Sequence, residues 1–171
     1  FAAVHGLAGE KGSELPIDDP RRKFKGRGVL LGNNVWDQDF EKACFADLGS
    51  APTLLEGARM TDFYGCLPGH DVQTGDAVQA FIQAPMRKEL WATLPRIAVQ
   101  NPSFYYAVKD PVVRVVYALY GDPDSPTTWE LHCDGQVRSV GFIPMGPEWP
   151  SVYFHPELKL MLSILTKRMT N

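Results

Sequence analysis

Three cysteines, Cys44, Cys66 and Cys133, are all that 171 residues provide, and no two of them share a C-x-x-C spacing. An odd set without paired spacing favours a reducing compartment over a disulfide scaffold and leads us to expect free thiols. Long apolar runs are missing too, and nothing approaches the length needed to cross a bilayer. A soluble intracellular protein is expected. There is no G-x-S-x-G elbow, which removes support for a Ser-His-Asp hydrolase. Zinc fares no better. His132 and Cys133 are adjacent, and His5, His70 and His155 are present, but the paired ligand spacing is absent. Internal repeats and low-complexity tracts are lacking, so neither a solenoid nor a disordered tail is indicated. The formal net charge of -3 excludes a uniformly basic nucleic-acid coat, yet a chain can confine its cations to the one surface that meets phosphate. Phe1 opens the chain with no signal- or transit-peptide pattern behind it, so we expect the sequence to begin inside a longer reading frame.

What is present is globular in character, with 44% apolar and 22% charged residues in a length suited to one core. Residues 1–20 are small, polar and glycine-rich, and read as a flexible lead-in; residues 21–171 read as one domain. A basic cluster from Arg21 to Arg27 passes into an apolar run closed by Gly32-Asn33, which predicts a strand. Thr53 and Glu56 form a capping-box pattern. Met60, Phe63, Tyr64 and Leu67 then fall on one helical stripe, predicted to be core, before Pro68-Gly69 stops the helix. Strands are expected at His70–Asp76, Glu89–Leu94 and Val112–Tyr120. Ser125-Pro126 opens a predicted helix carrying Trp129, Cys133, Val137 and Val140 as far as Gly141. A hairpin should follow, from Val152–His155 through Pro156-Glu157 to a buried strand at Leu158–Ile164. The fold class is α+β.

Two features bear on chemistry. Asp76-Ala77-Val78-Gln79-Ala80-Phe81 puts a carboxylate a few residues before a bulky ring. Such a pair suits a hard-oxygen ligand for Mg²⁺ with an aromatic wall beside it, although a surface aspartate preceding a core phenylalanine gives the same spacing more often. Lys23, Lys25 and Arg27 recur at every second position, so on a strand they share a face that suits polyphosphate. A solvated, charged edge that discourages aggregation fits the same pattern equally well.

Taken in order, the segments resemble one family, the reverse transcriptase domain of copia-type long-terminal-repeat retrotransposons. KFKGRGVLLGN is similar to that family's K-x-K-A-R-L-V-x-x-G strand. TLLEGARMTDFYGCLPGHDVQTGDAVQAFIQA resembles its helix followed by D-V-K-T-A-F-L-N-G, and ELWATLP its E-I-Y-M-x-x-P. VVYALYGDPDSPTTWELH is similar to L-x-x-S-L-Y-G-L-K-Q-A-P-R-A-W-Y, and WPSVYFHPELKLMLSI to the D-P-S-x-F hairpin before the active-site turn. The likeness runs from about Arg22 to Ile164.

This resemblance implies a partial right-hand polymerase, fingers plus an incomplete palm, with a mostly antiparallel sheet and packed helices. It implies that Asp76 is the first catalytic carboxylate and a Mg²⁺ ligand, that Phe81 is the steric gate against a 2′-hydroxyl, and that Lys25 and Arg27 neutralise the triphosphate. The implied partners are an RNA or DNA primer-template, deoxynucleoside triphosphates and the remaining Pol segments, with no membrane, in a cytoplasmic virus-like particle. The chain departs from the family at two places. Asp124 stands where the family has glutamine, which puts a negative charge near the nucleotide's phosphates. Leu165-Thr166-Lys167-Arg168 follows where Y-V-D-D should supply the other metal-binding aspartates. The chain is therefore expected to be inactive by itself, since two-metal chemistry needs clustered carboxylates. The alternatives are a non-catalytic nucleic-acid-binding remnant and an unrelated α+β interaction domain.

Overall fold

Alternation of long side chains with glycine from Lys23 to Leu30 fits a pleated strand with one free edge, and a strand forms there. The computed structural model describes residues 1–37, 39–43, 52–95, 103, 107–108 and 111–165. Its strands are β1 (Ala2–Lys11), β2 (Lys23–Leu30), β3 (Trp91–Thr93), β4 (Val112–Arg114), β5 (Ile143–Pro144), β6 (Val152–His155) and β7 (Leu160–Ser163). Its helices are α1 (Leu55–Gly65), α2 (Ala80–Gln83) and α3 (Ser125–Ser139). The fold is α+β, with a four-stranded sheet ordered β2-β1-β3-β4 and a three-stranded sheet ordered β5-β6-β7. The second sheet is antiparallel throughout, whereas the first is mixed because β1 runs parallel to β3. No helix among the described residues is long and apolar enough to cross a membrane.

The chain divides into two compact units, Phe1–Ala46 with Phe81–Ser125, and Asp47–Ala80 with Pro126–Asn171. Residue 20, where the sequence suggests a boundary, falls inside the first unit.

In that first unit, the expected flexible lead-in contains β1, an interior strand of its sheet. Alanines and glycines give β1 no apolar alternation, so its identity comes from backbone pairing with β2, from Val4 opposite Leu30 to Lys11 opposite Lys23. The core gathers Ala2, Leu30, Val35, Leu90 and Ala92, with Met86, Val115 and Leu119 packed against them. Beyond Val4 the β1–β2 pair rises from this core as a ribbon, and residues 5–9 and 23–28 are exposed on both faces. The expected strand at Glu89–Leu94 is present in part as β3. Of the one expected at Val112–Tyr120, only β4 is regular. Past it the chain pairs irregularly with residues 84–86, through Met86 N–H to Val116 O and Ala118 N–H to Ala84 O.

In the second unit, α1 begins near its expected start without the capping box. Leu54 is the N-cap, with no side-chain bond to the helix. The Thr53 hydroxyl instead donates to the Ser151 carbonyl at 2.9 Å. The predicted Met60–Leu67 core stripe is also corrected, because Phe63 is 70% exposed and the buried residue of α1 is Gly57. A Cβ on Gly57 would sit 2.8 Å from the Val152 side chain, so α1 packs through a glycine rather than through its largest side chains. The strand expected over His70–Asp76 is absent; that segment is irregular and exposed. The terminal hairpin forms as expected, in register from Val152–Ser163 to His155–Leu160. β7 is only partly buried, with Leu160 48% exposed, since it is the edge strand of a sheet covered on one side by α1. Cys66 and Cys133 are free thiols, and Cys44 lies outside the described residues.

Candidate functional site: an arginine and two rings in the first unit

Backbone crossing sets the geometry. The chain after β2, at Leu30–Gly32, passes against the turn at Tyr120–Gly121 so closely that a Cβ on Gly32 would overlap the Gly121 carbonyl. Leu30 N–H donates to the Tyr120 carbonyl at 2.7 Å. Gly121 has φ +88°, in the left-handed region that favours glycine. Tyr120 is thereby fixed beside β2, and the Arg27 guanidinium lies 5.7 Å from the centre of its ring, within cation–π range. The ring of Phe81, in α2, meets Tyr120 at 4.8 Å between centroids and a 52° tilt. Such contacts contribute about 0.5–1.5 kcal/mol each.

The turn after Tyr120 is held by charge. Lys88 Nζ donates to Asp122 Oδ1 at 2.9 Å and to Asp124 Oδ2 at 2.6 Å, and the Asp122 side chain is fully buried. Ser125 Oγ accepts from Leu119 N–H at 3.0 Å and lies within donating distance of the Leu119 carbonyl and of Asp122 Oδ2. The negative charge that sequence reasoning set near phosphate at Asp124 is thus compensated by Lys88. Tyr120 and Lys88 were not singled out from sequence. The L-Y-G triplet could have pointed to Tyr120; nothing local marks Lys88.

Arg27 and Phe81 are brought together, through Tyr120. Lys25 lies exposed on the same face of β2 as Arg27, and Asp124 belongs to the Lys88 cluster. Asp76 lies in the second unit, on the exposed irregular stretch before α2. Among the described residues no three His, Cys, Asp or Glu side chains gather into a metal-holding group. A lone exposed carboxylate gives Mg²⁺ a single anchoring ligand, too few by itself to fit a resident ion, which is held by one or two carboxylates together with substrate phosphates and water.

The second unit has a cavity of about 440 Å³ bounded by Asp134, Arg138, Trp149 and Tyr153 among others. The Tyr153 hydroxyl donates to Asp134 Oδ1 at 3.0 Å, and Arg138 donates to the same carboxylate at 2.8 and 2.9 Å. Burial first, and then the Asp134 carboxylate, hold the Tyr153 phenol well above the usual tyrosine range. Burial likewise pushes the Cys133 thiol up. Because the folded phenol keeps its proton after an unfolded one has lost it, this contribution is intact below about pH 10 and drains away as pH rises further. A titration followed at 295 nm should show one tyrosine ionising late, together with loss of helix signal. Tyr153→Phe should remove the alkaline sensitivity, and an unchanged alkaline midpoint would count against this assignment.

No family model matches this chain, and neither a curated protein nor a solved structure matches it.

Proposed function

We propose that the chain is a piece of a copia-type retrotransposon reverse transcriptase, fingers and the first part of the palm, that retains a nucleotide-gripping cluster and does not polymerise by itself. The observation that carries this reading is the meeting of three separate segments on one tyrosine. KFKGRG supplies Arg27, DAVQAF supplies Phe81 and ALYGDP supplies Tyr120, and each of these segments resembles a different motif of that family.

In this reading Lys25 and Arg27 meet the triphosphate of a deoxynucleotide, with Tyr120 holding the arginine fork at a fixed angle. Phe81 presses on the sugar and excludes a 2′-hydroxyl. Lys88 cancels the charge of Asp124, which would otherwise repel phosphate. Asp76 is the first palm carboxylate in this assignment. Because its surroundings do not fit a resident metal, no chemical step is assigned to it, and the binding remnant is the form of the reading that this favours. The partners are primer-template and deoxynucleoside triphosphates, in a cytoplasmic virus-like particle.

The test is binding of a fluorescent deoxynucleoside triphosphate to the purified chain. Tyr120→Ala and Arg27→Gln should each weaken it about three- to tenfold, the loss of one cation–π or charge-assisted contact. Equal affinity of wild type and both variants, or no binding at all, would leave an unrelated interaction domain as the better description. Primer extension with Mg²⁺ should give no product. Product formation abolished by Asp76→Ala would show that the chain is a competent polymerase.

A further inference from the structure

The cavity of about 440 Å³ in the second unit lies between α3 and the β5–β6 connection, and the nucleotide reading makes no use of it. Glu130, Asp134 and Arg138 line it from α3, at four-residue intervals that put them on one face of the helix. Trp149 and three prolines, Pro144, Pro147 and Pro150, line it from β5 and the connection to β6. Backbone bonds shape that connection before any ligand arrives. Met145 N–H donates to the Val152 carbonyl at 2.9 Å, and Trp149 N–H to the Gly146 carbonyl at 3.1 Å. The prolines, each with its φ fixed, stiffen it further. Trp149 is braced against α1, since a Cβ on Gly57 would lie 3.7 Å from its Cε3. Asp134 is held as firmly, because it accepts from Arg138 Nε and from the Tyr153 hydroxyl.

We infer that this cavity takes a flat organic cation on an aliphatic stem, the guanidinium of an arginine, with the stem along the prolines and the head between the Trp149 ring and the carboxylates of Glu130 and Asp134. Charge decides the sign of the ligand. Two carboxylates and one guanidinium border the cavity, and that guanidinium, Arg138, already donates to Asp134, so an anion meets net repulsion and a cation net attraction. A carboxylate has about four acceptor positions, so Asp134, and Glu130 with an interaction of its own, both keep room for a further donor. Tryptophan is the ring that attracts a cation best, and a planar guanidinium stacks on it as an ammonium cannot. The prolines give the methylenes of the stem an apolar wall. The volume falls within the range of about 300–1,000 Å³ that small-ligand pockets occupy. The site lies in the second unit, goes beyond the nucleotide reading and does not depend on it.

Titration of the whole chain with N-acetyl-arginine amide, followed by the Trp149 indole and α3 amide resonances, tests it. N-acetyl-citrulline amide serves as the uncharged isostere, and an acetylated Gly-Gly-Arg-Gly-Gly amide carries the same side chain on a peptide. The arginine compound should shift these resonances with a dissociation constant on the order of 1 mM, and the citrulline compound should bind about tenfold more weakly. Glu130→Gln should weaken arginine binding about threefold and flatten its dependence on salt. Trp149→Phe should also weaken it about threefold, and Glu130→Lys at least about tenfold, in variants whose circular dichroism matches wild type. Tighter binding of the peptide than of the amide assigns the occupant to an arginine carried by a partner chain, and equal binding to a free guanidinium compound; both support the site. Equal binding of the citrulline compound, a Glu130→Lys variant with wild-type affinity, or no shift with any of the three compounds overturns the inference. Tyr120→Ala should bind the arginine compound as wild type does, so failure of the nucleotide reading is distinguishable from failure of this one.

Discussion

Lys88→Met is expected to destabilise the first unit by about 3 kcal/mol. The change removes the cation paired with Asp122, whose side chain is fully buried, and leaves a second carboxylate, Asp124, facing the same gap. Truncating one member of a buried pair costs more than the pair itself contributes, because a desolvated charge is left without compensation. The lower end of the usual range applies, since the Lys88 side chain is 31% exposed and water can enter once it is gone. Asp122→Asn should cost less, about 1–2 kcal/mol, because an amide is neutral and still accepts from Ser125. Lys88→Met combined with Asp122→Asn should recover part of the loss of Lys88→Met alone, the non-additivity expected of neighbours in one network. Because the chain has two units, the measurement is hydrogen exchange at the β3 and β4 amides rather than a single global transition. Unchanged exchange there in Lys88→Met would show that the cluster contributes nothing to holding the turn.

The Lys88 cluster also shows where sequence reading stops. Lys88 stands 34 positions before Asp122 and 36 before Asp124, and no periodicity or turn rule connects a lysine in Met86-Arg87-Lys88 to a Gly-Asp-Pro turn. What was legible were elements with their own local signal: β2 with its regular alternation, α3 with Ser-Pro at its start, and the β6–β7 hairpin around Pro156-Glu157. What was lost were elements whose reason lies elsewhere in the chain. β1 is made of residues that form a strand only because β2 and β3 flank it. The face of α1 that packs is marked by Gly57, invisible to a search for large apolar residues. Thr53 had the sequence of a cap, but its hydroxyl found a tertiary carbonyl instead. At the candidate site, Arg27 and Phe81 were legible as charge and bulk, while Tyr120, the ring between them, read as one aromatic residue in an apolar run.

Gly121→Ala should cost the first unit about 2–5 kcal/mol and take nucleotide affinity with it. Two penalties add. At φ +88° an alanine is strained by about 1–2 kcal/mol. Its Cβ would also overlap the Leu30 carbonyl oxygen, a backbone atom that cannot rotate away, so β2 and the turn must separate at a further cost of about 1–3 kcal/mol. Gly69→Ala isolates the first penalty, because Gly69 has a similar φ of +83° with no atom within 4 Å of the added carbon. The excess of Gly121→Ala over Gly69→Ala therefore measures the close approach itself. Gly32→Ala places its Cβ against the Gly121 carbonyl from the other side of the same crossing and should reproduce that excess without the φ term. Since Leu30 N–H to Tyr120 O is the bond that sets the tyrosine beside Arg27, both variants should weaken nucleotide binding by at least as much as Tyr120→Ala. Near-equal stability of the Gly121 and Gly69 variants would mean that the two backbones do not touch, and the geometry assigned to the Arg27–Tyr120–Phe81 cluster would lose its foundation.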